Sequence, residues 1–401
     1  MYTVQRRWVQ LNKETNYIQR INDVLAVVMV SIVLSFSAIP GAQVMPLLLF
    51  SAVTFISAYL YNQKLVLFHF WGFAFYGFCI LSNLWLYSSS GISALSTTMI
   101  KMMFYLLFLS LYIRGEREIR IVLKSFIIGA VLLFIRLVMS TPISEWGTSR
   151  LGGDAGINEN FVGMVFTYAA IVCLFYARKK NLYILGFLVF GIVSLFSGSR
   201  KAFVLLIGAI VMLLVNKIRK PSNVLYIIPF GCAIFLLVYY SINNPQLYHI
   251  LGRRMEGLIN MFTGKGKVDN STIVRFDLIS IGIEQFQEKI LIGHGIHSFK
   301  NMNKYGYYAH NNYVELLVNY GLIGAILYYL MPVSILIKTC ITWLTKTRNV
   351  ILAMVFLVFV FITDYGMVSY YSPTTLILLV VSYRMLVIYL NEDTTNQGGL
   401  I

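Results

Sequence analysis

Residues 160–177, NFVGMVFTYAAIVCLFYA, form an apolar run without a charged side chain, and Arg178-Lys179-Lys180 follow it directly. A run of about 18 to 20 such residues is long enough to cross the hydrocarbon core of a bilayer as a helix. The basic triplet at its end is typical of a span that reaches the cytoplasmic side. This stretch therefore predicts a transmembrane helix that runs from the outer face of a membrane to the inner one.

The same pattern recurs along the chain. Only 12% of the 401 residues are charged and 58% are apolar, whereas soluble domains carry about 25% charged residues. We therefore predict an all-α, polytopic membrane protein, with residues 1–401 as a single transmembrane domain. Its twelve predicted spans are 22–39, 44–61, 65–87, 95–113, 120–139, 160–177, 182–197, 202–216, 224–242, 314–337, 350–364 and 374–390.

The distribution of Lys and Arg predicts the orientation of these spans. In the short segments, 17 of these residues fall on one side of the membrane and 3 on the other. By the positive-inside tendency both termini are cytoplasmic, and residues 243–312 form one large extracytoplasmic loop. Within that loop, 273–289 has apolar positions at helical spacing. Because orientation explains the net charge of +16, we do not expect a nucleic-acid partner.

Unusual basic residues collect on the predicted outer face. Arg150 precedes Asn160 at the mouth of the sixth span, and Arg275 lies in the long loop. Arg200 and Lys201 belong to a tight hairpin, Ser197-Gly198-Ser199-Arg200-Lys201. Arginine on the outer side runs against the positive-inside tendency, which indicates that Arg200 faces a cavity. Arg150 and Lys201 either lie beside Arg200 or extend their charged ends to the membrane interface.

Other polar residues lie at the same face. Arg136, at the outer end of the fifth span, is a further candidate for the group of cations. Among the histidines, His310 precedes a predicted helix and is followed by Asn311 and Asn312, whose amides are suited to positioning a substrate. Tyrosines can stack on sugars there or simply pack in the interfacial belt: Tyr305, Tyr307, Tyr308, Tyr313, Tyr370 and Tyr371.

The histidines do not predict a metal site or a cofactor. His294 and His297 have no acidic residue within a helical turn, and Gly293 and Gly295 beside them indicate a turn instead. Arginine and histidine together suit a different chemistry. The guanidinium group of arginine binds two phosphate oxygens at once, and a neutral histidine accepts a hydroxyl proton. This set predicts displacement of a diphosphate by a hydroxyl nucleophile, with a lipid-linked donor.

The sequence resembles the O-antigen polymerase and O-antigen ligase superfamily. The motifs that carry the resemblance are Gly293-His294-Gly295, His310-Asn311-Asn312-Tyr313, the Glu315-Leu316-Leu317 to Tyr320-Gly321-Leu322-Ile323-Gly324 helix, Ser197-Gly198-Ser199-Arg200, the Arg150-to-Asn160 stretch and Arg275. Each motif is short, and it is their order and spacing that resemble the family. One departure is Asn158-Glu159-Asn160, where the family more often has Asn-Pro-Asn.

The resemblance implies a membrane-embedded, inverting, metal-independent glycosyltransferase. Its catalytic residues would be His310 at the acceptor hydroxyl and Arg200 and Arg275 at the diphosphate. Substrate-binding residues would be Arg150, Asn160, Lys201, Arg136, Asn311, Asn312, Tyr313 and Glu315. Its partners would be undecaprenyl-diphosphate-linked oligosaccharides as donor and acceptor, membrane lipid and a chain-length regulator. The site would face the periplasm or exterior of a bacterial cytoplasmic membrane.

Three functions stay open at this point. A polymerase of O-antigen or capsular polysaccharide joins lipid-linked repeat units, and the stretch from His310 to Gly321 looks closer to such polymerases. A ligase passes the finished glycan to an acceptor such as the lipid A core of lipopolysaccharide. A flippase or transporter would need charged residues along a path through the bilayer, whereas the candidates gather on one face.

Overall fold

The structure is a computed structural model in which the described residues are mainly helical. It describes the backbone of residues 2–86, 92–146, 150–177, 180–216, 227–245, 248, 252–263 and 270–397, and side chains from Tyr17 to Leu390 within most of these ranges. Two basic residues of the opening pattern, Arg178 and Lys179, lie outside the described residues. No β-strand occurs in the described ranges.

Each of the twelve predicted spans overlaps an α-helix, although residue 87 and residues 224–226 of two spans lie outside the described residues. These helices are α1 (Tyr2–Ser35), α2 (Val44–Leu60), α3 (Leu67–Leu81), α4 (Ile92–Tyr112), α5 (Glu116–Ser140), α6 (Glu159–Tyr176), α7 (Leu182–Phe196), α8 (Arg200–Val215) and α9 (Ile227–Asn243). After the long-loop helices α10 (Arg253–Thr263), α11 (Asn270–Glu288) and α12 (Ser298–Met302) come α13 (Asn312–Thr345), α14 (Ile351–Asp364) and α15 (Pro373–Gln397).

The described helices support a polytopic membrane protein. Seven segments are long and apolar enough to cross a membrane: Tyr17–Ser35, Leu67–Trp85, Ala94–Tyr112, Glu116–Ser140, Glu159–Tyr176, Asn312–Thr345 and Pro373–Leu390. Val44–Leu60 and Leu182–Phe196 are shorter apolar helices. The number of twelve spans and the side on which 243–312 lies therefore stay predictions. The helix predicted over 273–289 is confirmed as part of α11.

The chain divides into two compact units. Unit 1 comprises Met1–Val33, Ile39–Ser125 and Leu278–Ile401, and unit 2 comprises Leu34–Ala38 and Phe126–Asp277. In unit 1, α13 packs on α3, α14 and α15, and α4 packs on α2, α3 and α15. In unit 2, α6 packs on α7 and α8. The expected single transmembrane domain is not tested by this division.

In unit 1, helix ends that the charge pattern assigns to the same side of the membrane meet. Near the predicted inner ends, Arg117 pairs with Asp23 of α1, and the Arg114 guanidinium lies 3.7 Å from the ring centre of Tyr61, after α2. Near the predicted outer ends, the Ile296 N–H donates to the Ser82 hydroxyl at 3.0 Å. These contacts join helix ends that the predicted topology places on one side of the membrane, and the orientation of the helices stays a prediction.

Candidate functional site

In unit 2, the hairpin that carries Arg200 is fixed by α6. Ser197 ends α7, Gly198 takes a left-handed conformation with φ +60°, and the Ser199 hydroxyl accepts from the Ala202 N–H at 3.4 Å as the N-cap of α8. Gly163 of α6 lies directly against this turn, because a Cβ at that position would stand 2.3 Å from the Ser197 hydroxyl. The close approach of α6 places Arg200 and Lys201 in the first turn of α8.

Arg150 joins this hairpin to the start of α6. Its Nε donates to the Ser197 carbonyl at 3.0 Å, one terminal nitrogen pairs with Glu159 at 3.2 Å and the other donates to the Asn160 side-chain carbonyl at 3.1 Å. These contacts favour the interpretation of Arg150 as a site residue over that of an interface anchor, because three of the five N–H donors of a guanidinium are used inside the protein. Asn160 is held by this contact.

The departure at Asn158-Glu159-Asn160 does not disturb the start of α6. Asn158 is its N-cap, and the Asn158 side-chain oxygen accepts from the Asn160 N–H at 2.9 Å. Glu159 takes the first helical position, where proline is favoured in general. An acidic residue is also favourable there, because the helix dipole is positive at its N-terminus.

Arg200, Lys201 and Arg275 complete a group that we call the basic cluster, with Arg150 as its fourth member. The Arg200 guanidinium donates to the Thr272 hydroxyl at 3.3 Å, and Thr272 precedes Arg275 by three residues on α11, so the two share a helix face. Burial lowers the pKa of Arg150, Glu159 opposes the shift, and Arg200 and Arg275 lower it further. The four predicted cations of the outer face are thus close neighbours.

Lys201 also belongs to the basic cluster, because the charges of Arg275 and Arg200 act on it. It precedes the apolar run 202–216, and burial, followed by the charges of Arg275 and Arg200, lowers its pKa to about 7. Burial is the first cause of this shift, and the two neighbouring guanidinium groups add a positive potential at Lys201. The first turn of α8 adds to that potential through the helix dipole. These are the properties of a site for an anion.

Arg136 contacts other groups. Its guanidinium donates to the Ser35 carbonyl at 3.1 Å and to the Ala155 carbonyl at 3.2 Å. It also faces the Phe36 ring at 5.8 Å. These contacts tie backbone segments within unit 2. Through Ala155, Arg136 holds the 150–158 loop, and the expectation that it binds substrate stays a prediction.

In unit 1, His310 lies immediately before α13. Its backbone is left-handed, with φ +52°, and its ring lies 4.1 Å from that of Tyr308. The Asn311 side chain is the N-cap of α13 and accepts from the Val314 N–H at 3.1 Å. The His310 side chain is half-buried, so it is accessible at the head of this helix.

The residues after His310 are bound to protein groups. Asn312 is fully buried, its side-chain nitrogen donates to Asp364 at 3.2 Å and its oxygen accepts from the Ser369 and Tyr370 N–H groups. Tyr313 stacks on Tyr329 with ring centres 5.0 Å apart. Asn311, Asn312 and Glu315 thus use their polar groups in contacts within the protein. Direct substrate contact by these residues and by Tyr313 stays a prediction.

Sequence reasoning missed Asp364 in this network. The Asp364 carboxylate is fully buried and accepts from the Tyr329 hydroxyl at 2.7 Å, in addition to Asn312 and Ser369. A carboxyl group at the end of the apolar run 350–364 was a usable signal, because such a group needs partners in a membrane protein. Among the predicted tyrosines, Tyr370 is buried whereas Tyr307 is exposed.

The turn predicted at Gly293–His297 is confirmed. Gly293, Gly295 and His297 have φ values of +66°, +95° and +64°. The His294 ring is buried, with Nε2 2.9 Å from the Gln285 carbonyl, which makes it a structural residue. In the part of the chain that the structure describes, no group of three or more His, Cys, Asp or Glu is arranged to hold a metal ion.

Part of the chain matches the model of a known protein family. Residues 185–329 match the family model for O-antigen ligase. The resemblance to the O-antigen polymerase and ligase superfamily is therefore confirmed over this segment. No curated protein matches the chain.

The O-antigen ligase segment contains most of the candidate residues. Arg200, Lys201 and Arg275 of the basic cluster lie within it, as do His310 and Glu315. The match indicates a glycosyl-transfer-type enzyme of the O-antigen ligase and polymerase type in polysaccharide biosynthesis. Arg150, Asn160 and Arg136 precede the matched segment.

Proposed function

We propose that this protein is a polysaccharide polymerase that joins undecaprenyl-diphosphate-linked repeat units of O-antigen or capsule by glycosyl transfer. The basic cluster carries the proposal. Arg150, Arg200, Lys201 and Arg275 bring four basic groups together in unit 2, with Glu159 as a paired carboxylate. Such an arrangement is stabilised by a multiply charged anion, and a lipid-linked diphosphate has two adjacent negative phosphates.

The reaction is a single displacement at the sugar carbon that bears the diphosphate. The acceptor hydroxyl oxygen forms a bond to this carbon, the bond from the carbon to the diphosphate oxygen breaks, and undecaprenyl diphosphate leaves with the bonding electrons. Attack opposite the leaving group inverts the configuration. Arg200, Arg275 and Lys201 stabilise the developing negative charge, which is the task that a metal ion performs in other glycosyltransferases.

The proposed role of His310 is to accept the proton of the acceptor hydroxyl. A neutral imidazole is suited to this task near neutral pH. Support comes from its place in the matched segment and from the left-handed backbone that positions its ring at the head of α13. Asn160 is proposed to contact the sugar beside Arg150.

The proposed location is the outer face of a bacterial cytoplasmic membrane, with both termini in the cytoplasm. The charge pattern of the short segments supports this orientation. Donor and acceptor are then both undecaprenyl-diphosphate-linked oligosaccharides, whose lipid tails stay among membrane lipids. A chain-length regulator is a further proposed partner.

O-antigen ligase is the second candidate. The description of the matching family favours it, and the basic cluster serves the same diphosphate donor in either enzyme. The two differ in the acceptor, which is a second lipid-linked glycan for a polymerase and a lipid A core or similar surface acceptor for a ligase.

A deletion strain that carries the wild-type gene or a variant tests the proposal. Surface and carrier-lipid glycans are separated on a gel. Single repeat units on the surface acceptor indicate a lost polymerase, full-length glycans left on the carrier indicate a lost ligase, and failure of units to reach the outer face indicates a lost flippase.

Variants connect the phenotype to the site. We expect Arg200→Ala and His310→Ala to give the deletion phenotype at normal protein level. The control is Arg253→Ala, which removes an exposed arginine of unit 2 and should preserve long glycans. Long glycans in Arg200→Ala at normal protein level would contradict the assignment of the basic cluster.

A further inference from the structure

A buried carboxylate binds the residue that precedes His310. The Glu315 side chain is 2% exposed, and its Oε2 accepts from the Ala309 N–H at 2.7 Å. Its Oε1 accepts from the Asn319 side-chain nitrogen at 3.2 Å, one turn further along α13. Burial of a carboxylate is costly unless its hydrogen bonds are provided. Both oxygens of Glu315 are bound in this way, which indicates a specific task for the side chain.

The backbone at His310 needs support on both sides. A left-handed conformation is unfavourable for residues other than glycine and persists where the surrounding structure enforces it. Before His310, the Ala309 N–H is bound by Glu315. After it, the Asn311 carbonyl accepts from the Glu315 N–H at 3.0 Å and the Asn311 side chain caps α13. Glu315 therefore contacts the chain on both sides of His310.

Asn319 extends this support away from the helix. Its side-chain oxygen accepts from the Phe299 N–H at 2.8 Å, and its carbonyl accepts from the Gly295 N–H at 2.8 Å. Glu315 and Asn319 thus form a chain of hydrogen bonds from the loop before His310 to the turn at Gly295. Each side chain in this hydrogen-bond series has a defined role as donor or acceptor. Replacing a single side-chain oxygen by nitrogen should therefore disturb the series.

We infer that Glu315 is a positioning residue for His310: through the Ala309 N–H and Asn319 it holds the imidazole where the acceptor hydroxyl is deprotonated. This inference rests on the role of His310 in the proposed function. Glu315 itself makes no contact with substrate in this arrangement, because its side chain is buried and each of its oxygens is bound to a protein donor.

The hydrogen bond between Glu315 and Asn319 can be tested by exchanging the donor and the acceptor between the two residues. In Glu315→Gln the new amide nitrogen faces the Asn319 nitrogen, so two donors meet. Adding Asn319→Asp restores an acceptor at that point and still accepts from the Phe299 N–H. We expect Glu315→Gln to slow glycan extension about tenfold, which is typical of a lost buried hydrogen bond. The double variant should regain most of the rate.

A double-mutant cycle with His310 separates positioning from general stability. The assay uses the purified full chain and lipid-linked repeat units extracted from the deletion strain. His310→Asn is the second site, since asparagine tolerates the left-handed backbone. We expect Glu315→Gln to have no further effect on the residual rate in the His310→Asn protein. An equal loss in both backgrounds would overturn the inference.

The outcomes distinguish the inference from the proposed function. If His310→Asn extends glycans at the wild-type rate, the proposed role of His310 fails. If His310→Asn is impaired and Glu315→Gln is as fast as wild type, the inference fails alone. Where His310→Asn leaves no residual rate, the pH profile of Glu315→Gln carries the test. If the pH at which the rate reaches half of its maximum shifts from the wild-type value, positioning is supported. If that pH is unchanged and only the maximal rate is lower, the inference is overturned.

Discussion

At the residue scale, Lys201 has the most informative environment. It lies beside Arg200 and Arg275, and its pKa is lowered to about 7, with burial as the first cause. The charged groups that face this region are Arg150, Arg200 and Arg275, with Glu159 as the paired carboxylate. A bound diphosphate favours the protonated lysine, so binding raises the pKa of Lys201 and is coupled to proton uptake.

The affinity for an anion should fall as the pH rises through the pKa of Lys201. Below pH 7 the free protein already carries charged Lys201, and above pH 7 it must take up a proton to bind the anion. We predict that the affinity for inorganic pyrophosphate falls between pH 6 and pH 8 in both proteins. The fall should be about tenfold larger in the wild type than in Lys201→Arg, because the charge of arginine does not titrate in this range. Calorimetric titration measures both proteins with the same ligand, so the titration of pyrophosphate cancels. A constant affinity ratio across this range would contradict the prediction.

At the scale of elements, two helices depend on glycines at points of close contact. Gly163 lets α6 approach the turn before α8, since an added Cβ would stand 2.9 Å from both the Ser199 and Ala202 Cβ atoms. Gly321 interrupts α13 with φ +64°, and a Cβ there would stand 2.3 Å from the Leu291 carbonyl oxygen. One contact shapes the basic cluster in unit 2, and the other shapes the interior of unit 1.

Gly163→Ala should displace the turn that carries Arg200. We expect a loss of about 1–3 kcal/mol in stability, which is typical of overpacking, together with weaker pyrophosphate binding. The matched control is Gly208→Ala on α8, where an added Cβ meets nothing within 4 Å. Thermal unfolding and titration of both variants provide the comparison, and equal behaviour would show that the turn can relax.

Gly321→Ala should destabilise unit 1 by a different cause. The left-handed backbone and the contact with the Leu291 carbonyl both oppose a side chain, so we expect a loss of at least about 1 kcal/mol. Gly77→Ala on α3 is the control, because its Cβ position is open. Melting temperatures in detergent measure the difference. A melting temperature of Gly321→Ala equal to that of Gly77→Ala would be inconsistent with the kink as described.

At the scale of the whole molecule, the predicted orientation assigns Lys64 and Lys300 to opposite sides of the membrane. Both side chains are exposed. In a chain whose four native cysteines are replaced by serine, we predict that Lys300→Cys reacts with a membrane-impermeant maleimide in intact spheroplasts. Lys64→Cys should react only after permeabilisation. The opposite pattern would reverse the orientation, and equal labelling of both before permeabilisation would contradict the predicted topology.

Much of the helical layout could be predicted from sequence alone. Apolar runs such as 160–177 and 202–216 coincide with α6 and α8 because helix formation in a bilayer depends on local composition and length. The candidate cations Arg150, Arg200, Lys201 and Arg275 were also evident, since charge at span ends needs a reason. These features depend on residues that are close together along the chain.

The roles of individual side chains depended on distant partners. Arg136 looked like a member of the basic cluster, yet its guanidinium binds the Ser35 and Ala155 carbonyls. Glu315 looked like a substrate contact, yet Ala309 and Asn319 use both of its oxygens. Asp364 was not predicted, although it binds Asn312 from 52 residues away.

The sequence by itself therefore determined an all-helical chain with apolar spans and an O-antigen polymerase and ligase type of motif set. Only the tertiary structure decided that Arg150, Arg200, Lys201 and Arg275 are close neighbours and that Glu315 binds the residue that precedes His310. The physical reason is the range of the interactions. Hydropathy and helix formation act over a few turns of chain, whereas hydrogen bonds and charge pairing depend on which segments the fold brings together.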